Sequence, residues 1–273
     1  MQKHDYNAIL SIMMDAAIEA GYLTINSTPE QRKDLFIADD RVTIIDIEAE
    51  NVIIKILKDN FADLIILSEE THKKNREPVF HNIDKFTGFL VDPIDGSVNF
   101  SRMISKNYGN FAVSIGFAEN GIIKAGVIYK PLENEMFHAV RGNGAFQDNN
   151  QIHVSQIDNI NHASIELGSY WIREKPDLFN RWFTNKKTDV EQILIRGSAA
   201  VGLADVARGR IEAILHSKLH PWDYAAGWII VEEAGGIVMD GNCNSLRLGG
   251  KFIYATNKNL NETVKRILKG EFK

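Results

Sequence analysis

The chain has 273 residues, 44% hydrophobic and 25% charged, enough for a full core built as one large domain or two tightly joined halves. A formal charge of −5 excludes the basic surface that sequence-independent nucleic-acid binding requires, so an anionic ligand needs local positive charge, for instance a metal. The single cysteine, Cys243, excludes an intramolecular disulfide and suits a reducing cytoplasm.

Ile9, Ile12, Met13, Ala16, Ala17 and Ala20 fall at helical spacing, with Gly21 as a stop. Asp15 and Glu19 interrupt this apolar stretch, which predicts neither a signal-peptide core nor a membrane span, and a soluble intracellular protein. Ser27 to Asp40 reads as a polar loop, and Arg41 to Asp46 as an extended run ending in a carboxylate. From Ile47 to Asn60 the spacing of Val52, Ile53, Ile56 and Leu57 is helical again. Leu64 to Leu67 reads as a buried strand running into Ser68-Glu69-Glu70.

Gly88 to Val91 reads as a strand ending on Asp92, followed by the sharp turn of D-P-I-D-G-S, Asp92 to Ser97. Asp92 and Asp95 are thereby held at one corner with the Ser97 hydroxyl beside them. Like charges so close repel, and a hard divalent cation bound through oxygens is one remedy. Taken alone, the tetrad is equally compatible with plain turn chemistry. Three apolar strands in succession nevertheless end on acids, Asp46, Glu69 and Asp92, and strand ends can converge at one sheet edge.

Phe111 to Phe146 carries a β-meander with Asn120-Gly121 as a hairpin turn, and Gly142-Asn143-Gly144 reads as turn glycines. After the polar stretch Gln147 to Asn161 the character shifts to α/β. Ile165 to Ser169 and Gln192 to Ile195 read as strands, and Lys175 to Phe183 as a helix. Ser198 caps a helix over Ala199 to Ala207, whose free N–H groups could hold an oxyanion or be structural only. Ile211 to Leu215 is a further strand, leading through His216 and Lys218 to Asp223, the expected cap of a helix through Glu233. Ile237 to Asp240 and Phe252 to Ala255 are final strands, and Leu260 to Leu268 a terminal helix.

Asp46, Glu69-Glu70, Asp92 to Ser97 and Trp222-Asp223, in this order and spacing, closely resemble the inositol monophosphatase family. Ala112 to Phe117, Gly142 to Phe146, Glu233 to Gly236 and Ala255 to Asn257 extend the resemblance along the chain. It implies a layered αβαβα sandwich of the sugar-phosphatase type. An α+β half with an antiparallel sheet, about residues 1–148, would supply most ligands, and an α/β half, 149–273, would supply Asp223. It further implies Mg²⁺-dependent hydrolysis of a small phosphate monoester, lithium sensitivity and a homodimer, with no nucleic acid or membrane partner. By this likeness Glu69, Asp92 and the Ile94 carbonyl form one metal site, and Asp92, Asp95 and Asp223 a second. Glu69 also holds a weaker third ion through waters. Ser97, where the family usually has threonine, pairs with Asp46 to orient and deprotonate the attacking water, making Asp46, Glu69 and Ser97 the catalytic set. Gly96, Ser97, Ser198, Ala199, His216 and Asp223 are the expected substrate contacts.

The proposed carboxylates and a phosphate dianion together carry about seven negative charges, which two to three Mg²⁺ ions nearly balance. The substrate is less determined. By the same likeness Asn99 and Phe100 favour the inositol monophosphatase branch over nucleotide 3′-phosphatase relatives, whereas His216, where many inositol-specific members have glutamate, and Lys218 suit a different or more anionic alcohol. Fructose 1,6-bisphosphate, NADP or another sugar or nucleotide phosphate are alternatives, as is a non-catalytic metal- and phosphate-sensing protein. The Asp46–Ser97 pair argues against that last option, since a pure binder needs no water-activating dyad.

Overall fold

The computed structural model describes residues 4–37, 40–75, 83–103, 109–184 and 190–271. The first half runs α1 (Tyr6–Asn26), β1 (Leu35–Ile37), β2 (Asp40–Val42), α2 (Ile44–Asn60), β3 (Ile65–Ser68), α3 (Glu69–Asn75), β4 (Gly88–Asp95) and α4 (Ser97–Ser101). It continues through β5 (Ala112–Glu119), β6 (Ile122–Lys130), β7 (Glu135–Val140), β8 (Ala145–Gln147) and β9 (Asn150–Ile152). The second half runs β10 (Ser164–Leu167), α5 (Ser169–Glu174), α6 (Pro176–Thr184), β11 (Gln192–Leu194), α7 (Ala199–Ala207) and β12 (Ala213–Ser217). It closes with α8 (Pro221–Glu233), β13 (Ile237–Asp240), β14 (Phe252–Thr256) and α9 (Asn261–Leu268).

Among the described residues, β1 and β2 form a two-stranded ribbon and the other strands form two larger sheets. The seven-stranded sheet has the order β3-β4-β5-β6-β7-β8-β9, and the five-stranded one β11-β10-β12-β14-β13. Every pair in the larger sheet is antiparallel except β3–β4, which is parallel. The smaller sheet is mixed, parallel across β11-β10-β12 and antiparallel across β12-β14-β13.

Strand alternation explains the layering. On β5, Val113, Ile115 and Phe117 pack with Ile9, Met13 and Ala17 of α1 and with Ala49 and Ile53 of α2. Ala112 and Ala118, which flank these three on the opposite face, join the cluster built with α7 and α8 between the sheets. Beyond the smaller sheet, Ala213 and Leu215 of β12 pack with Trp171 of α5, Leu178 of α6 and Val264 of α9. Helix and sheet thus alternate in the expected αβαβα order. α1 is long and apolar enough to cross a membrane by length and composition, but its apolar stripe lies against α2 and the large sheet.

Several local expectations are corrected. The loop placed over Ser27 to Asp40 contains β1, which pairs antiparallel with β2; residues 38–39 lie outside the described residues. Asp46 is not the end of a strand. Thr43 caps α2, starting it before Asp46, which occupies the third helical position and bonds back to the Thr43 N–H. β4 does not stop at Asp92 but continues through a register shift to Asp95, and the left-handed Gly96 (φ 101°) makes the turn instead. The stretch taken as polar loop after Gln147 holds the short edge strand β9. Asp223 is likewise not the cap of its helix: His220 is, and Asp223 sits at the third position.

Candidate active site

The parallel pairing of β3 with β4 sets Ser68 opposite Val91, so the residues that follow, Glu69 and Asp92, emerge side by side. Asp223 reaches them from the first turn of α8, which can settle onto the large sheet because β5 and β6 carry glycines there. A Cβ on Gly116 would stand 2.8 Å from the Ala225 Cβ, and one on Gly126 2.7 Å from the Ala226 carbonyl oxygen. Glu69, Asp92 and Asp223 each bring a carboxylate oxygen within 4.8 Å of the others. Asp223 is steadied by the His220 N–H, 2.7 Å from its Oδ2.

Asp95 enters from the bulged end of β4. Its Oδ2 accepts from the Ser198 hydroxyl at 2.6 Å and from the Ala200 N–H at 2.5 Å. The start of α7 is therefore committed to a carboxylate of this chain. Ser198, expected against substrate, is buried with its hydroxyl on Asp95, whereas Ala199 lines the cleft. Gly96 and Ser97 also line it, at the start of α4.

Asp46 lies behind Ser97, almost wholly buried. The Ser97 hydroxyl stands 3.2 Å from Asp46 Oδ1 and 3.1 Å from the Ile94 carbonyl oxygen. The other carboxylate oxygen of Asp46 accepts from the Thr43 N–H at 2.7 Å and the Thr43 hydroxyl at 2.5 Å. Thr43 is thus a site residue that the sequence reasoning missed. Its signal was present, since Thr43-x-x-Asp46 is the spacing of a capping box. Lys73 was missed too: its ammonium bridges Glu69 at 2.7 Å and Glu70 at 3.0 Å from one turn along α3.

These carboxylates are expensive to ionise as they stand. Burial, followed by repulsion from Glu69 and neighbouring acids, holds Asp92 and Asp223 well above the usual carboxylate range. Burial likewise pushes Asp95 to about 6, against the pull of Ser198 and Ala200, and Asp46 to about 6, against the pull of Thr43. Glu70 rises to about 8, through burial and then Glu69. Burial alone would lower Lys73, but Glu69 and Glu70 hold its ammonium well above its ordinary value. An all-oxygen set of crowded, buried acids fits hard divalent cations, which relieve repulsion that protons otherwise must.

The carboxylates open into a cleft of about 390 Å³, also lined by Val98, Tyr170, His216, Lys218 and Leu219. A larger groove of about 600 Å³, lined by Met14, Ile18, Tyr129 and Phe146, lies elsewhere; among the described residues Asp148 is the one acid on its wall, so chemistry rather than size selects the cleft. Lys218, in the left-handed region (φ 58°), holds its ammonium 4.9 Å over the Tyr170 ring and 3.8 Å from Glu174. Arg196 turns its guanidinium to Glu166 and Asp205, while its carbonyl accepts from Asn99 at 2.7 Å.

The model of the inositol monophosphatase family matches residues 5–270. The chain is 35% identical over 201 residues to the fructose-1,6-bisphosphatase/inositol-1-monophosphatase of Thermotoga maritima, covering 74% of this chain and 72% of that one. It is 32% identical over 268 residues to the inositol-1-monophosphatase of Synechocystis, covering 97% and 90%. The crystal structure of the extragenic suppressor protein suhB from Bartonella henselae superposes with a TM-score of 0.83 at 31% identity, covering 97% of this chain and 100% of that one.

Proposed function

The chain belongs to the inositol monophosphatase family and is a phosphoric monoester hydrolase of a metal-dependent kind, and from that premise we propose that its substrate is inositol 1-phosphate and its metal Mg²⁺. The observation that carries this reading is the meeting of Glu69, Asp92 and Asp223 in a cleft beside the Asp46–Ser97 pair. Residues 1–148 and 149–273 act on this reading as two halves of one catalytic unit, the second lending Asp223.

Glu69, Asp92, Asp95 and Asp223, with the Ile94 carbonyl, would hold two to three Mg²⁺ ions. Bound there, the ions supply charge neutralisation and Lewis acidity toward phosphate and water. The chain's own groups do the positioning. The N–H groups of Gly96 and Ser97 face the phosphate, with Ala199 and His216 on the side of the alcohol. Ser97 and Asp46 take the proton released when water attacks phosphorus in line: the new oxygen–phosphorus bond forms as the bond to the alcohol oxygen breaks. No enzyme nucleophile is required. Asp46, raised to about 6, is ionised at neutral pH yet basic enough to receive that proton. Family likeness further supports a cytoplasmic, lithium-sensitive homodimer, checked by sedimentation and by titrating activity with Li⁺.

A second reading is a bisphosphatase, favoured by Lys218 at the cleft and by the Thermotoga relative named for both activities. Phosphate release from a panel of small esters, with Mg²⁺ and against an EDTA blank, decides. Preference for inositol 1-phosphate supports the first reading, and a large preference for fructose 1,6-bisphosphate the second. No Mg²⁺-dependent release from any ester overturns both.

A further inference from the structure

His216 lines the cleft, yet its Nε2 points away into the protein, toward Oε1 of Glu166 at 3.6 Å. Both atoms are buried and neither has a hydrogen-bond partner. Glu166 is fully buried and His216 is 5% exposed. Unpartnered polar atoms this deep are uncommon, and two facing one another just beyond bonding distance form a contact that closes with a movement of about 0.8 Å. Catalytic-site hydrogen bonds are often long in the free enzyme and tighten around substrate.

The remaining oxygen of Glu166 is already engaged. Arg196 donates to Oε2 from Nε at 2.9 Å and from Nη2 at 2.6 Å, and gives its third contact to Asp205 at 2.5 Å. Asp205 in turn binds Arg208, which pairs with Glu135, which pairs with Lys130. Three acids and three bases thus alternate from the large sheet to the cleft, balanced in charge before His216 is counted. With Arg196 donating twice to Oε2, the oxygen left open to the imidazole is Oε1. On its other side the imidazole lies against Gly168, where a Cβ would stand 2.9 Å from the His216 Cγ. The ring is held between a backbone without a side chain and a carboxylate with one free oxygen.

We propose that Glu166 is a positioning residue: it fixes His216 with the proton on Nε2, so that Nδ1 accepts a hydrogen bond from a hydroxyl next to the ester oxygen of the departing alcohol. The cleft would then select polyol phosphates over esters of the same skeleton without hydroxyls. The inference rests on the phosphatase reading, takes a polyol phosphate as its substrate class, and adds the residue that orients the imidazole. A site built to bond a hydroxyl rejects the analogue lacking it far more strongly than it senses shape alone.

The test pairs glycerol 2-phosphate with isopropyl phosphate, which has the same carbon skeleton without hydroxyls, on the Mg²⁺-loaded full chain. Wild-type kcat/KM should favour glycerol 2-phosphate by tenfold or more. Glu166→Gln should collapse that ratio toward one, chiefly through KM for glycerol 2-phosphate. The nitrogen spectrum of the ring should show Nε2 protonated and Nδ1 bare in wild type, and a mixture of tautomers in the variant. Should Glu166→Gln fail to fold, Glu166→Asp keeps the charge for Arg196 while withdrawing the oxygen from His216, and the same loss of ratio is expected. A wild-type enzyme that does not discriminate, or a ratio and tautomer that survive the substitution, overturns the inference and leaves the phosphatase reading standing. No turnover of either ester, together with failure of the wider panel, overturns both.

Discussion

Replacing Asp95 with asparagine should move stability and activity in opposite directions. In the metal-free protein, Asp95 is raised from 3.8 to about 6, chiefly by burial. A carboxyl whose folded value lies above its unfolded one contributes stability below the unfolded value and loses it as pH rises through the folded one. A shift of about two units corresponds to about 3 kcal/mol, and the partial opening of Asp95 onto the cleft trims this to about 2 kcal/mol. Asparagine removes the charge but keeps an oxygen for the Ser198 hydroxyl and the Ala200 N–H, at a loss of about 1 kcal/mol for weaker bonds to a neutral acceptor. Asp95→Asn in EDTA at pH 8 should therefore melt about 2–4 °C above wild type, while at pH 4 that advantage vanishes. With Mg²⁺ the order reverses: wild type gains stability on titration, and the variant gains less and turns over about 10² to 10³ times more slowly. Thermal melts across pH, with and without Mg²⁺, read the first part, and phosphate release the second. A variant that melts below wild type in EDTA at pH 8, or that retains wild-type activity, refutes the reasoning.

Asp46 must be ionised to take a proton, so kcat/KM should fall at acid pH, at or below about 6 because bound cations offset the Glu69 charge that helps raise it; a pH–rate profile with no acid limb would remove Asp46 from the mechanism. Thr43→Val deletes the hydroxyl that lowers Asp46, so the limb should move to higher pH, with about 1 kcal/mol lost from the cap of α2 in denaturant melts. Ser97→Ala should reduce turnover about a hundredfold while Ser97→Thr retains most of it, as measured by phosphate release. Gly126→Val would drive a side chain into the Ala226 backbone and Ile229, so a loss of at least about 2 kcal/mol and weaker Mg²⁺ binding are expected, read by denaturation and calorimetry.

The acids were legible because their order and spacing match the pattern of the family, and a carboxylate can be recognised without knowing what surrounds it. Periodicity made most individual helices and strands legible, whereas their layered arrangement came from the family likeness. What was not legible depends on partners distant in sequence. Asp46 looked like the end of a strand because Val42 to Ile45 are all β-branched, but Thr43 caps a helix there and the cap overrides local propensity. Ser198 looked available to substrate until β4 delivered Asp95 to the start of α7, across more than a hundred residues of chain.

His216 shows the same limit more sharply. Sequence reading set His216 and Lys218 together on the side of the alcohol, with His216 alone expected to touch substrate, and could not say how either side chain is held. In the fold, His216 lies on the buried strand β12 with its Nε2 facing Glu166, while Lys218 is turned outward over Tyr170. Glu166 and Arg196 are 30 residues apart and join only because β10 and β11 run parallel, setting Glu166 opposite Leu194, two residues before Arg196. The acids of the candidate metal site are thus written in motifs. The half proposed to choose the alcohol is written in sheet register, which places an acid with no motif of its own beneath the one imidazole that lines the cleft among the described residues.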